Sequence, residues 1–217
     1  MYLSYHLGSE FMVEARRMFL EKMYPPDVRM AGITMQISGS KAEGLDMKGS
    51  DTDIIMLFGN AYENNGENVT EYLSYRYDSL MPDIHPGYVL VECVIKGRVT
   101  VPYPSSTLKN AICTGSPNFK SVLKMFLHGP SISYSSCGDD LDLVPCLKCE
   151  SWPVTAREWI CRKRCFGWPS QEIINEIVKQ GCYIVPVGSK VHNGSENEWR
   201  LSFSLAEKFL IFTFNHT

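Results

Sequence analysis

GSKAEGLDMKGSDTDIIML, residues 39 to 57, is the stretch on which the reading of this chain turns. It is preceded by ITMQIS (33 to 38) and runs into DTDIIMLF (51 to 58), which is β-branched and apolar enough for a buried strand. Between them stand Gly39 and Ser40, then ten intervening residues before Asp51. Side chains two apart on a strand face the same way, so Asp51 and Asp53 present paired carboxylates. At an effective dielectric near 20 such a pair repels itself by about 3 to 4 kcal/mol. Sharing a proton or holding a hard divalent cation relieves that repulsion, and oxygen ligands of this kind suit magnesium bound together with substrate phosphates. The Gly-Ser turn offers phosphates a close backbone approach at Gly39 and a hydroxyl at Ser40. Read alone, Asp-x-Asp is more often a turn former at a strand start. The combination with the strand and the Gly-Ser turn favours the site.

Outward from this unit, Phe11, Met12, Ala15, Phe19 and Met23 recur at helical spacing, with Ser9 placed to cap and Pro25-Pro26 to stop the helix. Residues 60 to 86 read as a long loop with short elements. YVLVECVI (88 to 95) and RVTV (98 to 101) read as a hairpin across Lys96-Gly97. A helix is predicted near 117 to 127. DDLDLVPCL (139 to 147) reads as an alternating strand with Asp140 and Asp142 on one face. A helix is expected to open at Trp152-Pro153 and run to Arg164, and another over Pro169 to Lys179. Two strands, CYIVPV (182 to 187) and WRLSF (199 to 203), lead to a last helix from Ser204. The segments form one α+β unit with no internal repeat.

Strand, Gly-Ser turn and paired acids resemble the nucleotidyltransferase fold of DNA polymerase beta and its relatives, a mixed twisted sheet flanked by helices. That fold needs a third carboxylate, and DDLDLVPCL supplies Asp142, with Asp140 in reserve. Four blocks then narrow the resemblance to the Mab-twenty-one (male-abnormal twenty-one) family, which includes cyclic GMP-AMP synthase and the animal cyclic GMP-AMP synthase-like receptors. They are the opening stretch, DLDLVPCL with Trp152-Pro153, GWPSQEIINEIVKQGCYIVPVG, and EWRLSFSLAEK (198 to 208). The resemblance implies that Asp51, Asp53 and Asp142 bind Mg2+ or Mn2+ and carry catalysis, and that Gly39 and Ser40 meet the phosphates. It further implies that Arg200, Ser202, Ser204 and Glu207 hold nucleotide base and phosphate, with ATP and GTP as substrates and a cyclic dinucleotide of innate immunity as product. On this reading residues 1 to 203 are the nucleotidyltransferase lobe and 204 to 217 the start of a truncated helical lobe. The rival expectation is a catalytically inactive family member acting as a binding or developmental scaffold.

Composition sets the limits. The 217 residues are 44% hydrophobic and 21% charged, enough for one sizeable core. Lys and Arg number 21 against 24 acids, a formal charge of -3, so any polyanion must meet a local patch. Arg16, Arg17 and Lys22, or Arg157, Arg162, Lys163 and Arg164, are candidate contacts for a double-stranded nucleic acid activator, against their reading as solvated helix faces. No run approaches the roughly 20 apolar residues that span a bilayer, and no membrane partner is expected. All eight cysteines lie beyond residue 90, unlike a secreted disulfide scaffold. A reduced protein of the cytoplasm or nucleus with buried free thiols is expected. The competing reading takes Cys146, Cys149, Cys161 and Cys165 as zinc ligands.

Overall fold

The computed structural model describes residues 9–23, 28–30, 33–45, 51–64, 73–115, 124–136, 139–190 and 197–213. They fall into two compact units, Met1–Phe58 with Ser116–Pro145, and Gly59–Gly115 with Cys146–Thr217.

The first unit begins with helix α1 (Glu10–Met23), then strands β1 (Val28–Met30) and β2 (Ile33–Ser38), the single turn α2 (Gly39–Ala42) and the start of β3 (Thr52–Glu63). β2 pairs antiparallel with both β1 and β3, in a register that sets Ser38 opposite Asp53 and Ile37 opposite Ile54. β7 (Lys124–His128), β8 (Ser131–Ser136) and the start of β9 (Asp139–Cys149) form an antiparallel meander with Ser133 opposite Asp142. Ile37, Ile54, Ile55, Ile132 and Tyr134 are buried. β8 earns its place by alternation: Ile132 and Tyr134 point inward from a run otherwise made of serines. α1 forms where its period predicts, yet buries none of its residues, and Phe11 and Phe19 are exposed. Its other side is fixed to α2. Arg17 Nε donates to Glu43 O (2.8 Å) and Arg16 to Gly44 O (3.4 Å). Gly44, at φ +77°, lies so close that a Cβ there would stand 2.7 Å from Val13 O.

The second unit holds the end of β3, β4 (Leu73–Asp78), β5 (Tyr88–Ile95), β6 (Val99–Pro102), α3 (Ser105–Gly115) and the end of β9. It continues with α4 (Arg157–Cys161), α5 (Gln171–Gln180), β10 (Tyr183–Val185), β11 (Glu198–Ser202) and α6 (Ser204–Thr213). β3 pairs parallel with β4, while β4–β5, β5–β11, β11–β10 and β10–β9 are antiparallel. β3 and β9 pair as well, and Glu150 N–H donates to Ala61 O at 3.1 Å. The pairing therefore closes into a ring of six strands, in place of the mixed twisted sheet flanked by helices that the resemblance implies. The reason is β4. Residues 60 to 86 read as loop, but β3 continues to Glu63 and Leu73–Asp78 bridges it to β5.

Trp199 is fully buried, stacks on Tyr103 with ring centroids 5.8 Å apart and donates its indole N–H to Tyr103 O at 2.8 Å. A second cluster joins Trp152, Ile177 and Ala206, against which Trp159, Phe203, Phe209 and Leu210 pack, so the apolar run of α6 is partly covered within this unit. Ser170 caps α5 by accepting from Ile173 N–H, and Gly181 ends it. The expected helix at 117 to 127 is corrected: α3 lies earlier, 124–128 is strand β7, and residues 116–123 lie outside those described. The expected helix from Trp152 to Arg164 is shorter, a 3₁₀ turn (Val154–Ala156) followed by α4. Among the described residues no helix is long and apolar enough to cross a membrane.

Trp199→Ala is expected to lower the unfolding free energy by about 3–5 kcal/mol, as removal of a large buried aromatic does. Ser170→Ala costs about 1 kcal/mol through the lost cap. Urea denaturation of both variants checks the ranking.

Candidate active site

The site grows from the β2–α2–β3 connection. Pairing of Ser38 with Asp53 places the next residue, Gly39, directly against the Asp53 side chain. Gly39 has φ +71°, and a Cβ built there would stand 2.0 Å from Asp53 Oδ2. Only glycine fits, both for the left-handed backbone and for the approach of the carboxylate. Ser40 follows as the second residue of α2, half-buried.

Asp51 is exposed just ahead of β3, and Asp53 is half-buried as its second residue. Asp142 comes from β9, opposite Ser133. Burial raises the Asp53 pKa above its ordinary value, and the charges of Asp142 and then Asp51 push it further up, while Lys41 pulls it down. The three predicted acids thus share one electrostatic neighbourhood. Asp140 pairs opposite Ser135, and its side chain lies outside those described. Sequence reasoning missed Lys41, whose Nζ donates to Thr52 Oγ1 at 2.8 Å. The signal was present in the motif: a cation directly after Gly-Ser, ahead of the Asp51 and Asp53 pair.

As a donor set, three carboxylates beside a Gly-Ser turn have the chemistry of a magnesium site. Among the described residues, however, no three His, Cys, Asp or Glu side chains are arranged to hold one ion as they stand.

The other predicted contacts belong to the second unit. Along β11 Trp199 and Leu201 are buried, whereas Arg200 is exposed and Ser202 half-buried on the alternate face. Ser202 Oγ donates to Ser204 Oγ at 3.5 Å at the start of α6, and Glu207 is exposed one turn on. Strand-to-helix geometry therefore gathers Ser202 and Ser204.

The basic candidates divide. Arg16 and Arg17 hold α2, as described, and Arg164 donates to the carbonyls of Trp159, Ile160 and Arg162 while lying over the Trp159 ring. Lys22, Arg157, Arg162 and Lys163 are exposed. The cysteines also divide. Cys146, Cys149 and Cys182 are buried, and burial pushes the Cys146 and Cys149 thiols well up. Cys161 and Cys165 are exposed, which corrects the expectation of uniformly buried thiols. Cys149 meets Cys182 across β9 and β10, its N–H donating to Cys182 O at 2.9 Å.

A Gly-Ser turn between two strands, with acids on β3 and β9, is the arrangement of a nucleotidyltransferase fold. The chain belongs to the Mab-21 family: the Mab-21 protein nucleotidyltransferase domain matches residues 105–212, about half of its length. The match takes in Asp142 and the Arg200 to Glu207 segment. Gly39, Ser40, Asp51 and Asp53 precede it and rest on the geometry above.

Because its folded pKa is raised, Asp53 favours the folded state most below the unfolded value of 3.8, and that contribution is lost as pH rises through the folded value. In chelator, Asp53→Asn should therefore melt higher than wild type at pH 7, by roughly 2–4 °C per kcal/mol relieved. The gap should close as pH falls toward 3.8. Thermal denaturation across pH reads this directly, and a variant that melts lower at pH 7 would contradict it.

Proposed function

We propose that this chain is a metal-dependent nucleotidyltransferase that joins ATP and GTP into a cyclic dinucleotide signal of innate immunity. The observation that carries the proposal is Asp53, seated against Gly39, with its pKa raised by burial and then by the charges of Asp142 and Asp51. A half-buried carboxylate kept beside two others is costly without a role, and binding a divalent cation gives it one.

Asp51, Asp53 and Asp142 are the residues that would hold Mg2+ or Mn2+. When bound, the metal neutralises the triphosphate and eases deprotonation of the attacking hydroxyl. Gly39 lets the backbone approach the phosphates, and the Ser40 hydroxyl donates to them. A ribose hydroxyl passes its proton to Asp142 and attacks the α-phosphate in line, the new ester bond forming as the bond to the leaving pyrophosphate breaks, and a second such transfer closes the ring with loss of a second pyrophosphate. Asp142 stands on the side of the attacking hydroxyl in this assignment. Arg200, Ser202, Ser204 and Glu207 form the proposed contacts to base and phosphate. A double-stranded nucleic acid is the proposed activator, through exposed cations such as Arg157, Arg162 and Lys163.

The competing reading, a catalytically silent scaffold, draws on the absence of a preformed three-acid ligand set among the described residues. Incubation with Mg2+ or Mn2+ and labelled ATP and GTP separates the two. The proposal expects a dinucleotide product that falls by about 100-fold or more in Asp51→Asn, Asp53→Asn and Asp142→Asn, at or beyond the roughly 10–100-fold lost with outer-shell partners of a metal. Product that persists in Asp51→Asn would refute the site, and its absence in wild type with added activator would favour the scaffold.

A further inference from the structure

Helix α1 is attached along one side only. Successive residues of a helix turn by about 100°, so Val13, Arg17 and Leu20 lie opposite Ala15. All three are half-buried, and this is the side that Arg17 pins to α2 through Glu43 O. The side centred on Ala15 carries Phe11, Met12, Met18, Phe19 and Met23, each between 46% and 75% exposed. At about 200 Å² for a large side chain, those fractions amount to roughly 600 Å² of contiguous apolar surface, a size that marks an interaction site.

The pattern within the stripe says what covers it. FMVEARRMF, residues 11 to 19, presents Phe, Met, Met and Phe in the same order from either end, with Ala15 in the middle. On the helix Phe11 and Met18 fall to one side of Ala15, and Met12 and Phe19 to the other. A second α1 laid antiparallel across a two-fold axis at Ala15 therefore sets Phe11 of one copy against Met18 of the other, and Met12 against Phe19. Each pair then stands within about 1.5 Å of the same level along the axis. One patch supplies both halves of every contact, as an isologous interface requires, and each ring meets a thioether, a favourable pairing. The small Ala15 lets the two helices approach at the crossing. Charge agrees with this direction: exposed Lys22, at the end of the stripe, comes level with exposed Glu10 of the other copy, whereas parallel helices would set Lys22 against Lys22. We propose that α1 is the docking surface for α1 of a second copy of this chain, joined antiparallel across Ala15. The proposal is independent of the nucleotidyltransferase reading.

The area is near the low end for a specific complex, so a reversible dimer is expected, with a dissociation constant on the order of 10 μM. Sedimentation velocity of the full chain from 1 to 200 μM, under reducing conditions so that exposed Cys161 and Cys165 cannot cross-link it, reads this directly. Phe19→Glu and Ala15→Gln should each weaken the dimer by about 10-fold or more, as loss of a central contact does. Glu21→Gln, outside the stripe, should leave it unchanged. Circular dichroism checks that each variant keeps its helix content; should Phe19→Glu lose it, Ala15→Gln decides. A chain that stays monomeric throughout would overturn the inference, and binding of that monomer to phosphatidylcholine vesicles would give the stripe to a lipid surface instead. A dimer as strong in Ala15→Gln and Phe19→Glu as in wild type would equally overturn it, since the contact would then lie elsewhere.

Discussion

The chemistry proposed for this protein depends on one contact, the approach of the Asp53 carboxylate to the α-carbon of Gly39. A methyl group at residue 39 would overlap Asp53 Oδ2 at 2.0 Å. The contact exists because antiparallel pairing of β2 and β3 stops at Ser38 and Asp53, leaving the turn and the carboxylate at the same level. The missing side chain gives Asp53 its seat. Burial at that seat disfavours its charge, and the charges of Asp142 and Asp51 add to the penalty. The fold thus holds a carboxylate whose ionised form is disfavoured, which a bound cation of the kind proposed would relieve. That is a common trade of stability for function.

The surrounding structure is organised to hold that seat. Asp142 reaches the cluster because β9 is registered on β8, whose inward Ile132 and Tyr134 anchor the meander in the first unit's core. On the other side, α1 grips α2 through Arg16 and Arg17, fixing the turn that begins with Gly39. Lys41, from the same turn, supplies a charge that opposes the shift at Asp53. The second unit makes its own contribution to the family pattern: β11 alternates Trp199 and Leu201 into the core with Arg200 and Ser202 away from it.

How far all this was legible follows from whether a signal is local. β2, β3, β5, β9, β11 and α5 announced themselves, since each carries its period or its cap within a few residues. For the acids, strand alternation left Asp140 and Asp142 together on one face, and it was the family resemblance that singled out Asp142. β4 and β8 were not legible. Leu73–Asp78 and Ser131–Ser136 are polar for strands, and what makes them strands is a partner distant in sequence. α3 was hidden by Ser, Thr, Asn and Cys, residues of modest helix propensity. The closed ring was invisible for the same reason as β4, because closure is a property of pairing and not of composition. Lys41 was overlooked because one lysine on a helix ordinarily means a solvated face; only its distance to Thr52 shows otherwise.

The most direct measurement is anomalous scattering from crystals grown with Mn2+ and a non-hydrolysable GTP analogue. The account predicts a manganese peak bonded to the carboxylates of Asp51 and Asp53, with the triphosphate against Gly39 and Ser40 and Asp142 facing the same ion or its neighbour. A nucleotide bound elsewhere on the chain, or manganese that leaves Asp53 without a metal contact, would contradict it.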